Sequence, residues 1–359
     1  MSAIITSIGR ANPAHIIPQS EVVEFMIRAH KLDDQEAHDL RVLYRATGIQ
    51  QRFTSIQDYG ATEQYEFFPN NADLSPFPST SVRADWYRRN VVGLSIDAVR
   101  GCLTEDRYSE ITHLITVSCT GMYAPGLDID LINELGLKPG IERTCINFMG
   151  CYAAFNALKL AKHICDAGNA KVLIVSVELC TLHFQKDKSE DNLLANALFG
   201  DGAAAALVET EGQGLELNHF KCDLLPRASE EMAWEIGDFG FEMRLSSYVP
   251  DVIQQEVGPM VDQLKEEANV KAFDFYAIHP GGKRILSVME AQLGISKAQN
   301  RFAHEILRSY GNMSSPTILF VLEQLMDSLE GSDNGKHLLG FAFGPGLTME
   351  SVVAKIRVS

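Results

Sequence analysis

Cys151 is the residue of this chain best placed for nucleophilic chemistry. It follows Gly150 in the stretch NFMGCYAA at 147–154, and a helical spacing of apolar residues runs from Ala153 to Cys165. A helix start carries unpaired N–H groups and the positive end of the dipole, which favour a thiolate. Gly150 leaves room for a ligand to approach the sulfur. We therefore predict a reactive cysteine with a lowered pKa, although a cysteine in an apolar helix is usually a small buried hydrophobe.

Two further polar residues stand at the ends of apolar segments. His279 follows the strand-like run Phe275–Ile278 and precedes a Pro-Gly-Gly turn, and Asn312 follows Gly311 before a long apolar helix pattern. The carboxyl end of a buried strand faces the usual ligand crevice of an α/β sheet. An imidazole can take a thiol proton, and imidazole and amide N–H groups can stabilise an oxyanion. A structural histidine and a helix-capping asparagine remain the alternatives.

Alternating helix and strand patterns predict the elements that position these residues. The continuous apolar run Lys171–Val177 is typical of a strand buried on both faces, which indicates an α/β sheet. Helical spacing appears in Gln19–His30 and Val82–Cys102. The segment Thr54–Thr80 has little periodicity and several prolines, so we expect a long surface loop there.

A polar, glycine-containing segment at 209–215 divides the chain into two parts. We predict an N-terminal half, 1–210, which carries the cysteine, and a C-terminal half, 211–359, which carries the histidine and the asparagine. In each half a glycine and a polar residue, Gly150-Cys151 and Gly311-Asn312, precede a long apolar helix pattern. This internal symmetry suggests a duplicated α/β architecture with the site between the halves.

The composition excludes several classes of function. The 359 residues carry a formal net charge of −16 at pH 7, which argues against general binding to nucleic acid or to anionic membranes. The seven cysteines are scattered and lack a CxxC spacing, which is typical of reduced thiols and not of disulfides or a zinc site. No apolar run approaches 18 residues and no signal-peptide pattern is present, so we expect a cytoplasmic protein.

Five motifs in this order resemble those of the type III polyketide synthases, the chalcone-synthase-like branch of the thiolase-fold condensing enzymes. They are GCYAA at 150–154, ALFGDGAAAAL at 197–207, HPGG at 279–282, YGNMSSPT at 310–317 and FGPG at 343–346. The resemblance covers nearly the whole chain. It implies a duplicated αβαβα thiolase-like fold, a homodimer, and iterative decarboxylative condensation of malonyl-CoA onto an acyl-CoA starter, which yields pyrones or resorcinols. It implies no metal and no cofactor apart from the CoA thioesters.

The resemblance also assigns roles to single residues. Cys151 would carry the acyl group, with His279 and Asn312 as its partners. Other matching positions would line the substrate cavity, with Phe199 and Met243 at its gate, Cys119 in its wall, Ala124 lent across the dimer interface, and Ser314, Gly281 and Gly282 nearby. A phenylalanine is more usual at the position of Met243, and the flexible methionine suggests a more pliable gate.

CoA is polyanionic, so an acidic protein needs local positive charge to bind it. The basic residues that we consider for the CoA phosphates are Arg41, Arg45, Lys283, Arg284 and Arg308.

Three other protein classes share part of this pattern. An initiating ketoacyl-ACP synthase shares the three catalytic residue types and the fold but performs one condensation, and the HPGG and FGPG motifs favour the polyketide synthase. A catalytically silent thiolase-fold protein would tend to lack a member of the Cys-His-Asn set, and none is missing here. A papain-like hydrolase uses the same residue types, but the central cysteine and the α/β pattern disfavour it.

Overall fold

The computed structural model describes residues 2–246 and 248–359 of the chain. The helices are α1 (Gln19–His30), α2 (Asp34–Ala46), α3 (Thr80–Cys102), α4 (Leu127–Leu135), α5 (Ala153–Ala167), α6 (Glu190–Leu198), α7 (Val249–Ala268), α8 (Lys283–Leu293), α9 (Arg301–Tyr310) and α10 (Thr317–Asp327). The strands are β1 (Ile4–Ala11), β2 (His15–Pro18), β3 (Gln51–Thr54), β4 (His113–Ser118), β5 (Glu142–Asn147), β6 (Lys171–Leu179), β7 (Asp201–Glu209), β8 (Gly214–Leu224), β9 (Met232–Gly237), β10 (Gly240–Leu245), β11 (Phe275–Ile278), β12 (His337–Gly344) and β13 (Thr348–Arg357).

Nine strands form one mixed sheet in the order β11-β12-β13-β8-β1-β7-β6-β4-β5. The run β4-β6-β7-β1 and the run β11-β12-β13-β8 repeat the same topology, because each has one parallel pair followed by two antiparallel pairs. Strands β1 and β8 join the two runs through two register pairs, Ile4 with Glu216 and Ile5 with Leu215. The duplicated α/β architecture predicted from the sequence is confirmed.

Strand β6 shows how the apolar pattern builds the layers. Val172 and Ile174 pack in a hydrophobic cluster with α5, whereas Leu173 and Val175 pack in a second cluster with α3. Because successive side chains of a strand point to opposite faces, one apolar run supplies both clusters. The sheet is therefore covered on both faces at this point.

Helices α5 and α10 occupy equivalent places in the repeated topology. Helix α5 packs on β4, β6 and β7, and α10 packs on β1, β7 and β11. The first six residues of α10, Thr317–Leu322, are at most 1% exposed. The loops before these helices contain Cys151 and Asn312, so the duplication brings the two residues to the same part of the core.

Glu178, near the end of β6, connects loops of both repeats. Its carboxylate accepts hydrogen bonds from the Cys119 amide (2.8 Å), the Thr120 hydroxyl (2.8 Å) and the Ser315 hydroxyl (2.5 Å). Burial raises the pKa of the Glu178 carboxyl to about 7, and these hydrogen bonds oppose that rise. One buried carboxyl thus connects the loop after β4 to the segment before α10.

The structure also contains a hairpin that the sequence patterns did not predict. Strands β9 and β10 pair antiparallel through six register positions, from Gly240 with Gly237 to Leu245 with Met232. Trp234 and Ile236 alternate with polar or small neighbours. This period of two residues is typical of a strand and could have indicated the hairpin. The prediction of an irregular segment at 54–80 is correct for most of its length, yet Phe67 and Phe68 are buried in the core.

No helix formed by residues 2–246 and 248–359 is long and apolar enough to cross a membrane.

The anchor between α5 and β13 can be tested by substitution. Lys159 of α5 binds the Glu350 carboxylate at 2.8 Å, and the Glu350 side chain is 2% exposed. Lys159→Met would leave this buried carboxylate without its partner, so we expect the free energy of unfolding to fall by about 2 kcal/mol or more. The matched control is Lys162→Met, which removes the pair with Asp166 on the outer side of the same helix.

We expect Lys162→Met to lower the free energy of unfolding by about 0.5 kcal/mol or less, since it breaks an ion pair on the helix surface. Urea denaturation measures both variants, and equal losses would contradict the proposed anchor.

Glu178 should make stability depend on pH. Its pKa in the folded protein, about 7, lies above the value of 4.5 for an unperturbed carboxyl, so the folded state holds the proton more tightly. This contribution to stability is complete below about pH 4.5 and is lost as the pH rises through 7. We expect Glu178→Gln to show a smaller fall in the free energy of unfolding between pH 5 and pH 7.5 than the wild type.

Urea denaturation at the two pH values measures this difference. The control is Glu134→Gln, which changes an exposed carboxyl on α4. An unchanged pH dependence in Glu178→Gln would show that this carboxyl does not titrate in that range.

Candidate active site

The nucleophile loop and the FGPG loop meet in very close contact. Cys151 lies two residues before α5 begins. A Cβ atom on Gly150, whose φ is +87°, would lie 2.3 Å from Cδ of Pro345, and a Cβ atom on Gly344 would lie 2.5 Å from the ring of Tyr152. Only glycine fits at these two positions without movement of the neighbouring chain. The β12–β13 turn therefore fixes the backbone that presents Cys151.

Cys151, His279 and Asn312 line the same cavity. The Cys151 sulfur lies 4.0 Å from Oδ1 and 3.9 Å from Nδ2 of Asn312. Asn312 Nδ2 also donates to the carbonyl of Gly281 at 3.4 Å. His279 is 1% exposed, and its two ring nitrogens have no hydrogen-bond partner among the described residues. A ligand oxygen in the cavity would supply the partner that this buried imidazole lacks.

The amide of Asn312 is held in a defined orientation. The Ser314 amide donates to Oδ1 of Asn312 at 2.8 Å, which leaves Nδ2 to face the sulfur and the Gly281 carbonyl. The Asn312 backbone pairs with the segment at Phe199, because its N–H donates to the Leu198 carbonyl at 2.9 Å. The position of Asn312 is thus tied to the ALFGDG segment that the sequence singled out.

The pKa values differ from the sequence-based expectation. Burial raises the pKa of the Cys151 thiol to about 11, whereas a lowered pKa was predicted; hydrogen bonds from Ser314 and Asn312 oppose the rise. Burial also lowers the pKa of His279 to about 3. The predicted lowering of the Cys151 pKa is wrong, because removal from water is the largest cause of the shift and disfavours the charged thiolate.

The cavity draws its lining from both repeats of the fold, for example Cys119 from the first and Ser314 from the second. Five of the predicted cavity residues line it, namely Phe199, Met243, Cys119, Ser314 and Gly281. Cys119 also accepts a hydrogen bond from the Gly150 amide at 3.0 Å, so it touches the nucleophile loop. Gly282 and Ala124 lie outside the described lining, and Ala124 is exposed.

Trp234 and His183 are among the lining residues that the sequence analysis does not identify. Trp234 of β9 donates to the Cys119 carbonyl at 2.7 Å. His183 contacts the Thr120 carbonyl through Nε2 at 2.7 Å and accepts from the Phe241 amide through Nδ1 at 2.9 Å. Burial lowers the pKa of His183 to about 3, so it is a neutral link between the cavity wall and the β9–β10 hairpin. The alternation in β9 could have indicated Trp234, but no local pattern indicates His183.

The five basic residues considered for the CoA phosphates fall into two groups. Arg41 binds Glu24 at 2.7 Å and Arg284 binds Asp251 at 2.7 Å, so their charges are already compensated in part. The exposed Arg45, Lys283 and Arg308 surround the loop after α2. A Cβ atom on Gly48 of that loop would lie 3.6 Å from Cδ of Lys283. The Gly48 amide donates to the Arg45 carbonyl. The Gln50 amide donates to the Arg308 carbonyl.

Within the described residues, no group of three or more histidine, cysteine, aspartate or glutamate side chains could hold a metal ion.

Comparison with known proteins gives matches over the whole chain. Residues 1–212 match the N-terminal domain of the chalcone and stilbene synthases, and residues 216–357 match their C-terminal domain. The chain is 30% identical over 370 residues to type III polyketide synthase C of Arabidopsis thaliana. The aligned region covers 98% of this chain and 95% of that protein. It is 29% identical over 374 residues to type III polyketide synthase A of the same plant, with 99% and 93% covered.

Solved structures agree with these matches. PKS-I from the brown alga Ectocarpus siliculosus superposes with a TM-score of 0.91 at 27% identity and covers 99% of this chain and 98% of that one. The 1,3,6,8-tetrahydroxynaphthalene synthase of Streptomyces coelicolor A3(2), a bacterial type III polyketide synthase, has a TM-score of 0.86 at 29% identity, with 99% and 100% covered. The matches give no support to a ketoacyl-ACP synthase. The chain belongs to the chalcone and stilbene synthase family and is a type III polyketide synthase.

Proposed function

We propose that this enzyme condenses malonyl-CoA repeatedly onto an acyl-CoA starter held on Cys151 as a thioester. The observation that carries the proposal is the convergence of Cys151, His279 and Asn312 on one cavity, in which the His279 ring has no hydrogen-bond partner among the described residues. Acyl transfer breaks the bond between the starter carbonyl carbon and the CoA sulfur and forms a bond to the Cys151 sulfur. The thiol proton leaves through His279 to the CoA thiolate.

Decarboxylation follows in the same place. Malonyl-CoA loses CO₂ and leaves an enolate, whose oxygen is stabilised by N–H donors from His279 and Asn312. Both donors are buried, at 1% and 2% exposure, so little water competes with them. The enolate carbon attacks the Cys151 thioester and lengthens the chain by two carbons. Cyclisation of the extended chain to a pyrone or a resorcinol would release the product.

The CoA thioesters would enter past the exposed residues Arg45, Lys283 and Arg308. Their charges face no carboxylate in the described ion pairs, in contrast to Arg41 and Arg284. The overall charge of −16 makes such a local group necessary for a polyanionic substrate. We propose that these three residues bind the CoA phosphates and that no metal or organic cofactor takes part.

We also propose that the enzyme acts as a cytoplasmic homodimer. Strand β5 lies at the edge of the sheet, and an exposed edge strand tends to be covered by a partner. Met122 and Met149 are 47% and 36% exposed, and Ala124 is an exposed residue in the loop that contains Met122. A second copy on this side could bring its Ala124 to the cavity, as the family resemblance implies.

The reaction can be tested with purified protein, malonyl-CoA and a panel of starter acyl-CoAs, without any acyl carrier protein. We expect products of several extensions by mass spectrometry, and we expect Cys151→Ala to abolish them because no thioester can form. The control is Cys145→Ala, which removes an exposed cysteine. Polyketides made by Cys151→Ala would overturn the mechanism. A single condensation that requires malonyl-ACP would instead support a ketoacyl synthase.

The CoA-binding residues give a separate prediction. Alanine at Arg45, Lys283 or Arg308 should raise the KM for malonyl-CoA by about two- to tenfold with little change in kcat, because each contact is an exposed ion pair. The rise should shrink in high salt. Arg41→Ala is the matched control, since Arg41 already pairs with Glu24. Equal effects on KM in the control and the three variants would contradict this assignment.

A further inference from the structure

Helix α6 ends beside the proposed site, and its last carbonyl groups have no partner within the helix. They belong to residues 196–199, because the helix closes with the hydrogen bond from the Phe199 amide to the Ala195 carbonyl at 3.1 Å. Each of these carbonyls accepts a hydrogen bond from another part of the chain. The donors therefore determine how the end of α6 and the proposed gate residue Phe199 are held.

The side chain of Arg52, in β3, binds the first and the last of these carbonyls. Its Nη1 donates to the Asn196 carbonyl at 2.8 Å and to the Phe199 carbonyl at 2.5 Å. The carboxyl end of a helix carries partial negative charge, so a cation is favourable there. Arg52 is 4% exposed and lines the cavity, so it is a buried cap of α6 next to the site.

The backbone of Asn312 binds the same helix end. Its amide donates to the Leu198 carbonyl at 2.9 Å, and its carbonyl accepts from the Gly200 amide at 2.9 Å. The two hydrogen bonds lie on either side of Phe199 and form an isolated parallel bridge between Phe199 and Asn312. The place of the Asn312 backbone, and with it the place of the side-chain amide, thus depends on where α6 ends.

Strand β3 also touches the residues that precede Asn312. A Cβ atom on Gly311 would lie 3.1 Å from both Cγ and Cδ of Arg52, so the stem of Arg52 packs against the Gly311 backbone. The next residue of β3, Phe53, stacks on Tyr310 with a distance of 5.3 Å between the ring centres. Arg52 therefore reaches Asn312 by two routes, through the end of α6 and through the preceding glycine.

The remaining carbonyl offers a comparison within the same helix end. The Ala197 carbonyl accepts from Nε2 of Gln19 at 2.7 Å, and Gln19 is 5% exposed. Gln19 is thus a second buried cap of α6. Among the described hydrogen bonds, none joins the Gln19 side chain to Phe199 or to Asn312. Loss of Gln19 would leave a buried carbonyl unpaired without removing a direct contact to the Asn312 segment.

We propose that Arg52 is a positioning residue for Asn312, because it holds the helix end to which the Asn312 backbone is bound. This inference rests on the proposed function, in which the Asn312 amide stabilises the enolate oxygen. A donor displaced by about 1 Å can lose roughly a hundredfold in rate. A lysine side chain is shorter than an arginine and lacks its planar fork, so it would not hold both carbonyls in the same place.

The first test separates acylation of Cys151 from decarboxylation, the step that uses the Asn312 amide. Intact-protein mass spectrometry measures the rate at which hexanoyl-CoA acylates Cys151, and carboxyl-labelled malonyl-CoA measures the release of CO₂. In Arg52→Lys and Arg52→Met, we expect decarboxylation to slow by about tenfold or more and acylation to change by less than about threefold. Equal losses in both steps, or unchanged decarboxylation in both variants, would overturn the proposal.

The matched control is Gln19→Met, which leaves the Ala197 carbonyl of the same helix end unpaired. It should lower the thermal unfolding midpoint, because a buried carbonyl loses its partner. It should leave the ratio of the decarboxylation rate to the acylation rate within about twofold of the wild type. A fall in this ratio as large as that in the Arg52 variants would show that any damage to this helix end has the same effect.

The second test shows whether Arg52 acts through Asn312. Nε of Arg52 has no partner among the described residues, so a direct contact with the substrate is the alternative. In an Asn312→Ala background, Arg52→Lys should slow decarboxylation by less than about twofold, because no side-chain amide remains to be displaced. The same fold-change in both backgrounds would mean that Arg52 acts independently of Asn312, and the proposal would fail.

The outcomes distinguish this inference from the proposed function. If the wild type neither becomes acylated on Cys151 nor releases CO₂ from malonyl-CoA, the proposed function fails and the role of Arg52 fails with it. If the wild type performs both steps and the Arg52 variants keep the wild-type ratio of the two rates, the function stands and Arg52 is only a cap of α6.

Discussion

The close contact between the nucleophile loop and the FGPG loop is the constraint on which the site depends. Gly150 and Gly344 are positions at which a Cβ atom would lie within 2.5 Å of the Pro345 or Tyr152 side chain, so each side chain packs directly against the glycine backbone of the other loop. One loop belongs to the first repeat and the other to the second. The contact therefore sets the relative position of Cys151 and the second repeat, from which His279 and Asn312 come.

Burial is the dominant electrostatic influence on this site. It lowers the pKa of His183 and of His279 to about 3 and raises that of Cys151 to about 11. All three shifts favour the neutral form, as expected where water is removed. The low exposure of His279 and Asn312, 1% and 2%, would strengthen the proposed attraction between an enolate oxygen and their N–H donors.

The duplication explains why the site lies where it does. Helices α5 and α10 have equivalent places in the two repeats, and each is preceded by a loop that contributes a polar side chain. A hydrogen bond also connects the two repeats. The Glu178 carboxylate of β6 accepts it from the Ser315 hydroxyl, just before α10. A repeated unit that presents different residues, Cys151 and Asn312, at equivalent places is a simple way to build an asymmetric site.

The sequence by itself determined the elements with long apolar patterns, the duplication, and the three candidate catalytic residues, because these depend on local periodicity and on motifs. It did not reveal the β9–β10 hairpin, whose strands are short and pair only with each other. Nor did it reveal His183 or the partners of Arg41 and Arg284. The sequence also predicts the wrong direction for the pKa of Cys151. A helix start can be recognised from the local sequence, whereas the burial that raises this pKa depends on the tertiary structure. Burial, ion pairing and cavity shape arise from segments distant in the chain, so only the tertiary structure decided them.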